Sequence, residues 1–240
     1  MLLNGLSLVG RFLSTEQKLQ FLGLLKEVTF GELRRKALLR YYRLHRKQNR
    51  IGPEAFVSRS FAVIVDLGTN VGEFTKVAAG IADEVHAYEP DPVTFEILKM
   101  NMAHLSNVHV HQAAVGTENG ECRLFRRPDF EVNHAVASEG SSVFASYKGV
   151  TENDFVVTPQ VSIETLLKQI GRPVDIMKVD IEGAEVPVLE RLFASPLVSN
   201  VRELYVESHE FALPELAERT ETLRKRARKI KGLTASFDWH

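Results

Sequence analysis

At 240 residues the chain is long enough to bury one large core, so a single main domain is expected. Its 44% hydrophobic and 25% charged residues match an ordinary globular protein and exclude disordered and fibrous classes. Thirty basic against thirty-one acidic residues give a net charge of −1, so no global field gathers nucleic acid or an anionic membrane.

Met1 to Leu13 is mildly apolar but lacks a charged leading region and a small-residue cleavage site, so no signal peptide is expected. No run of about 20 apolar residues occurs, which predicts no transmembrane segment. Residues 1–55 read as an N-terminal helical extension, with Leu19, Leu22, Leu25, Leu33, Leu38, Leu39 and Tyr42 near helical spacing. Its second half is basic (Arg34, Arg35, Lys36, Arg40, Arg43, Arg46, Lys47, Arg50). A solvated face is the simplest reading, with a membrane-surface helix and a lid for an anionic substrate as the others. An amphipathic helix here also allows a homo-oligomer.

Ile51-Gly52-Pro53 breaks the helix, and a main domain over 56–240 follows. Short apolar runs then alternate with amphipathic stretches, the pattern of βαβ units in a doubly wound, mostly parallel α/β sheet. Strands are predicted at Ala62–Leu67, Glu84–Tyr88, Val108–His111 (running on toward Ala114), Val174–Val179, Val201–Glu207 and Thr234–Trp239. Helices are predicted at Glu73–Ile81, Val93–His104, Ile163–Ile170, Val186–Phe193 and Leu213–Lys231. Residues 117–160 break the alternation and read as an insertion of antiparallel strands with a mobile loop, Ser138–Ser142, over the site. Cys122 in that insertion is the single cysteine, which excludes an internal disulfide and makes a reducing, cytoplasmic compartment the default.

The run Ile64-Val65-Asp66-Leu67-Gly68-Thr69-Asn70-Val71-Gly72-Glu73-Phe74-Thr75 is a strand entering a glycine-bearing turn and then a helix. Gly68 and Gly72 let the backbone approach a ligand and take dihedrals closed to other residues. The second strand ends in Tyr88-Glu89-Pro90, which puts a carboxylate where the ribose of a bound nucleoside lies, able to accept from both hydroxyls. Nicotinamide dinucleotides use a similar arrangement. The turn nevertheless lacks the G-x-G-x-x-G order, and Asp66 before it would repel phosphate while attracting a cationic ligand. S-adenosylmethionine has no phosphate and carries a sulfonium and an ammonium.

These residues resemble the FkbM-type family of class I S-adenosylmethionine-dependent methyltransferases. The resemblance spans about 61–210, through Val65 to Thr75, Tyr88-Glu89-Pro90, Ala113-Ala114-Val115-Gly116, and Met177-Lys178-Val179-Asp180-Ile181-Glu182-Gly183-Ala184-Glu185. It implies a seven-stranded-type, Rossmann-like sheet and methyl transfer to a hydroxyl of a sugar or natural product. It also implies a cofactor ringed by Asp66, Gly68, Asn70, Gly72 and Glu89, and the matched segments extend that set to Thr69, Phe74, Thr75, Pro90, Ala114 and Asp180.

The sulfonium methyl is already electrophilic, so the protein must align it and remove a proton from the acceptor. Asp180, Glu182 and His209, all expected beyond strand ends at one sheet edge, are the candidate bases. The same three can accept a divalent cation, but no spacing demands one, so no metal is expected. Glu185 reads as a cap of the next helix. The basic stretch Arg224, Lys225, Arg226, Arg228, Lys229 and Lys231 reads as a solvated helix end. Without interleaved aromatics or a recognised module, it predicts no nucleic-acid binding. The acceptor is expected to be a small molecule or saccharide, with Arg126, Arg127, His134 and Tyr147 as candidate pocket residues that surface solvation explains equally well.

Overall fold

A computed structural model describes residues 14–130 and 138–239. Two helices come first. α1 (Thr15–Val28) starts at a reciprocal cap, in which Ser14 accepts from the Gln17 N–H and the Gln17 side chain accepts from the Ser14 N–H. α2 (Gly31–Asn49) buries Ala37, Leu38 and Tyr42. No described helix is long and apolar enough to cross a membrane.

The main sheet is built from β1 (Phe61–Leu67), β2 (Ala82–Tyr88), β3 (Val108–His111), β7 (Val174–Val179), β8 (Val201–Val206) and β9 (Thr234–Ser236). Its order is β3-β2-β1-β7-β8-β9, and every neighbouring pair is parallel. The described sheet thus has six strands where the resemblance implied a seven-stranded type. β1 and β7 are buried along nearly their whole length, as strands covered on both faces must be, and their β-branched runs suit that place. The strand order reverses between β1 and β7, which opens a crevice beyond their carboxyl ends.

Helices connect the strands: α3 (Glu73–Ala79), α4 (Pro92–Met102), α5 (Ile163–Ile170), α6 (Glu185–Ala194) and α7 (Ala217–Ala227). Asp91 starts α4 by accepting from the N–H groups of Val93 and Thr94, with Pro92 fixing φ at the first position. Ser162 caps α5, and Gly171 ends it in the left-handed region.

Three expectations change. β3 does not run on to Ala114: its pairing with β2 ends at Tyr88 opposite His111, and the chain turns into β4 (Ala114–Gly116). β4 joins a second, three-stranded sheet with β6 (Phe155–Ser162) and β5 (Gly120–Phe125), β6 running parallel to β4 and antiparallel to β5. The antiparallel insertion is therefore present, but Ser142 in its polar loop is pinned. Its backbone exchanges hydrogen bonds with Phe125 at 2.7 and 2.9 Å, and its hydroxyl donates to the Glu182 carbonyl at 2.6 Å.

The second change concerns the last helix, which is shorter than expected, with a turn at Pro214–Leu216 before α7. Arg224 is not solvated: it is 5% exposed, donates to Glu210 at 2.8 Å and lies 3.4 Å over the Tyr42 ring. Lys225 reaches Glu27 and Arg226 donates to the Phe193 carbonyl, whereas Arg228, Lys229 and Lys231 are exposed as expected. Third, the basic face of the extension is only partly solvated, because Arg34 pairs with Glu218 and Arg46 donates to the Ser208 carbonyl. His134 and the leading apolar segment, Met1 to Leu13, lie outside the described residues.

Candidate active site

The crevice at the β1–β7 switch point holds a cavity of about 900 Å³, near the upper end of the usual range for ligand pockets. Gly68, Thr69, Asn70, Phe74, Glu89, Pro90 and Ala114 line it, as do Asp180, Glu182 and His209. Tyr147 also lines it. Arg126 is buried in an ion pair with Asp91 at 2.7 Å, and Arg127 pairs with Asp129.

Asp66, Gly72 and Thr75 sit behind that wall. Asp66 is fully buried, accepts from the Thr75 hydroxyl at 2.6 Å and meets Lys178 Nζ at 3.1 Å. Its charge is compensated inside the protein and does not face the crevice. Gly68 and Gly72 have φ of +76° and +97°, the left-handed conformations the turn requires. The close approach each permits is to the protein itself: a Cβ on Gly68 would lie 1.6 Å from the Asp180 carbonyl oxygen, and one on Gly72 would meet Leu98 and Met102.

Glu89 stands against this turn. One carboxylate oxygen accepts from the Asn70 N–H and the other from the Asp91 N–H, both at 2.9 Å, while the Gly68 and Thr69 N–H groups donate to the neighbouring Tyr88 carbonyl. Burial pushes Glu89 up to about 8, against the pull of the two N–H donors. Asn70 also has positive φ, and its Oδ1 is buried without a hydrogen-bond partner.

At the β7 and β8 ends, Asp180, Glu182 and His209 converge. His209 Nε2 lies 3.2 Å from Glu182 and 3.8 Å from Asp180, and Nδ1 lies 2.9 Å from Glu185. Burial opposes an imidazolium here, but the carboxylates of Glu185, Glu182 and Asp180 outweigh it and raise His209 to about 10. Burial raises Glu182 to about 8, and the Tyr147 hydroxyl donates to it. Glu182 has a φ of +50°, uncommon for a residue with a side chain.

Two groups escaped sequence reasoning. Lys178, buried near the carboxyl end of β7, bridges Asp66, Asp180 (3.3 Å) and the Gly68 carbonyl (2.8 Å), joining the turn to the acidic cluster. A single cation inside an apolar strand was the available signal. Glu185 does more than cap α6: it accepts from the Ile181 and Gly183 N–H groups and also orients His209. Cys122, half-buried and raised in pKa by that burial, is no activated thiol.

Sheet order and site together define a Rossmann-like domain with an acid-rich crevice at the switch point of its sheet. Residues 66–230 match the Methyltransferase FkbM domain, and the chain belongs to that family. It is similar to Methyltransferase 1 of Beauveria bassiana (strain ARSEF 2860), 29% identical over 166 residues that cover 59% of this chain and 66% of that protein. It is also similar to Methyltransferase sdnD of Sordaria araneosa, 27% identical over 152 residues covering 53% and 59%. The chain spans less than two thirds of the length of these relatives. Among solved structures, the methyltransferase FkbM from Methylobacillus flagellatus KT aligns with a TM-score of 0.46 at 15% identity, over 88% of this chain and 52% of that one.

Proposed function

We propose that the chain is an S-adenosylmethionine-dependent methyltransferase acting on a hydroxyl oxygen of a sugar or small natural product. One observation carries this reading: a buried carboxylate, Glu89, stands at the glycine turn in the same cavity as a second acidic cluster with a histidine. Family membership supports methyl transfer and leaves the nicotinamide alternative without a supporting observation.

The residues present fit the cofactor. Glu89 is an acceptor suited to ribose hydroxyls, the unpartnered Oδ1 of Asn70 suits an N–H donor, and the cavity has room for a nucleoside and an acceptor together. When bound, S-adenosylmethionine supplies an electrophilic methyl on sulfur. Asp180 and Glu182 supply negative charge toward which a cationic ligand is drawn. Glu182, with a pKa near working pH, can receive the acceptor's proton, and His209 and the Tyr147 hydroxyl steady its carboxylate. His209 itself, held as an imidazolium by three carboxylates, acts as their partner in this arrangement and becomes a base only after losing that proton. No nucleic-acid or membrane partner is invoked, and a cytoplasmic, reducing setting suits the lone cysteine.

The test is transfer of labelled methyl from S-adenosylmethionine to a panel of hydroxylated sugars and natural products. Label recovered in an ether linkage on a panel member is the expected result. Turnover confined to nitrogen or carbon acceptors would remove the O-methyl assignment, and reduction of a nicotinamide cofactor with no methyl transfer would remove the whole reading.

A further inference from the structure

The acids at the floor of the cavity outnumber the bases. Asp66, Asp180, Glu182 and Glu185 stand around Lys178 and His209, with Lys178 meeting Asp66 and Asp180 and His209 meeting Asp180, Glu182 and Glu185. Four carboxylates against two cations leave a surplus of negative charge in a largely buried place, and buried charges are normally paired or bound to metal. The acidic surplus is not spread evenly. Asp66 and Glu185 are consumed by internal partners, whereas Asp180 and Glu182 are part-exposed to the cavity.

Geometry selects which atoms remain available. One ligand atom each from Asp180, Glu182 and His209 lies within 4.8 Å of the other two. A six-coordinate ion with bonds of about 2.1 Å places adjacent ligands about 3.0 Å apart and opposite ones about 4.2 Å apart. The 3.2 and 3.8 Å from His209 Nε2 to Glu182 and Asp180 fall within that span, and the 4.8 Å limit on the set exceeds it by about 0.6 Å, which the carboxylates close by moving onto the ion. His209 has the second feature of a metal-bound imidazole: its other ring nitrogen is committed to a carboxylate outside the set, Glu185, which fixes the ring and directs Nε2 at the two acids. Glu185 is in turn held by the Ile181 and Gly183 N–H groups, so the orienting group is itself fixed.

We propose that Asp180, Glu182 and His209 form a divalent-cation site of the Mg²⁺ or Mn²⁺ type, opening on the cavity, in which the ion displaces the Nε2 proton of His209 and leaves the Nδ1–H on Glu185. Two carboxylates and one imidazole favour a hard or borderline six-coordinate ion that keeps waters at its remaining positions. Those positions face the cavity and can be taken by two neighbouring oxygens, which makes vicinal diols or adjacent hydroxyl and carbonyl groups the acceptor class that fits. The acceptor class rests on the methyl-transfer reading; the cation site does not.

Mn²⁺ is the probe, followed by electron paramagnetic resonance on the full chain without cofactor, with S-adenosylhomocysteine binding measured in parallel by calorimetry. One saturable Mn²⁺ per chain at micromolar concentration is expected, competed by Mg²⁺. His209→Gln should abolish it, and Glu185→Gln, which touches no ion, should weaken it by about ten-fold or more. Retained S-adenosylhomocysteine affinity in both variants would show that the fold survives. Wild-type protein that binds S-adenosylhomocysteine but no Mn²⁺ overturns the cation site and leaves the methyltransferase reading standing. If S-adenosylmethionine then binds far more tightly than its demethylated product, which lacks the sulfonium charge, the acidic surplus serves the sulfonium instead. Mn²⁺ binding unchanged in His209→Gln would place the ion elsewhere and equally overturn the proposal.

Discussion

A methyl group placed on Gly68 would sit 1.6 Å from the Asp180 carbonyl oxygen, a backbone atom that cannot step aside, in a backbone already at φ +76°. At Gly72 the obstacles are the far ends of the Leu98 and Met102 side chains, both at 2.8 Å, which can shift. Gly68→Ala is therefore expected to cost at least about 3 kcal/mol, and Gly72→Ala clearly less. Urea unfolding of the two variants checks this; equal losses would mean that the strained dihedral, and not the β1–β7 contact, sets the requirement. At this scale the sequence read well where a residue type has one use. Glu89, at a strand end beside a glycine turn, falls where expected. Asp66 was legible as important but not in its role, because a carboxylate one residue before a strand end can point to the crevice or into the core. Its partner, Lys178, decides between them from a strand more than 100 residues away.

Among the elements, β2 and β3 carry a row of stacked rings. His86 packs on His109 and His111, and His111 on Tyr88, a residue of the cavity lining, while Glu84 and Arg172 flank the outer end. Burial lowers His86, against the opposing pull of Glu84. Burial, reinforced by His86 and His109, lowers His111 from 6.5 to about 4. The unfolded chain thus takes up protons at these sites before the folded one does. Their contribution to stability is complete above about pH 6.5 and is lost as pH falls toward about 4. His111→Gln should flatten the decline of the urea midpoint across that window. Parallel pH profiles for wild type and variant would show that other groups govern the acid side.

The same elements show what pattern can and cannot reveal. Apolar runs in β1 and β7 marked the centre of the sheet because both faces are covered. The departure of β4 into a second sheet was not legible, since it depends on β6 offering a partner some 45 residues later. Arg224 likewise reads as a solvated helix end until α2 brings Tyr42 against it.

Across the whole molecule, the cavity joins parts that sequence reading treated separately. The turn and Glu89 form one wall and the acidic cluster the floor, while Arg50, Pro53 and Trp239 reach it from outside the family-matched residues 66–230. An Ile51–Trp239 bridge ties the segment after α2 to the chain just past β9, and that segment reaches the pocket through Arg50 and Pro53. The pinned loop at Ser142 closes another side through its bond to Glu182. Fold class and the wall formed by the turn and Glu89 followed from local pattern, but the rest of the cavity is assembled from distant segments, and no single motif encodes it.

The proposed function requires this crevice to bind a nucleoside through Glu89. Calorimetric titration with S-adenosylhomocysteine tests it most directly, comparing wild type with Glu89→Ala, both shown folded by their urea midpoints. Micromolar binding by wild type, weakened about ten-fold or more in the variant (about 1.4 kcal/mol), is the predicted result. Wild-type protein that fails to bind, or a variant that binds as tightly, would contradict the account.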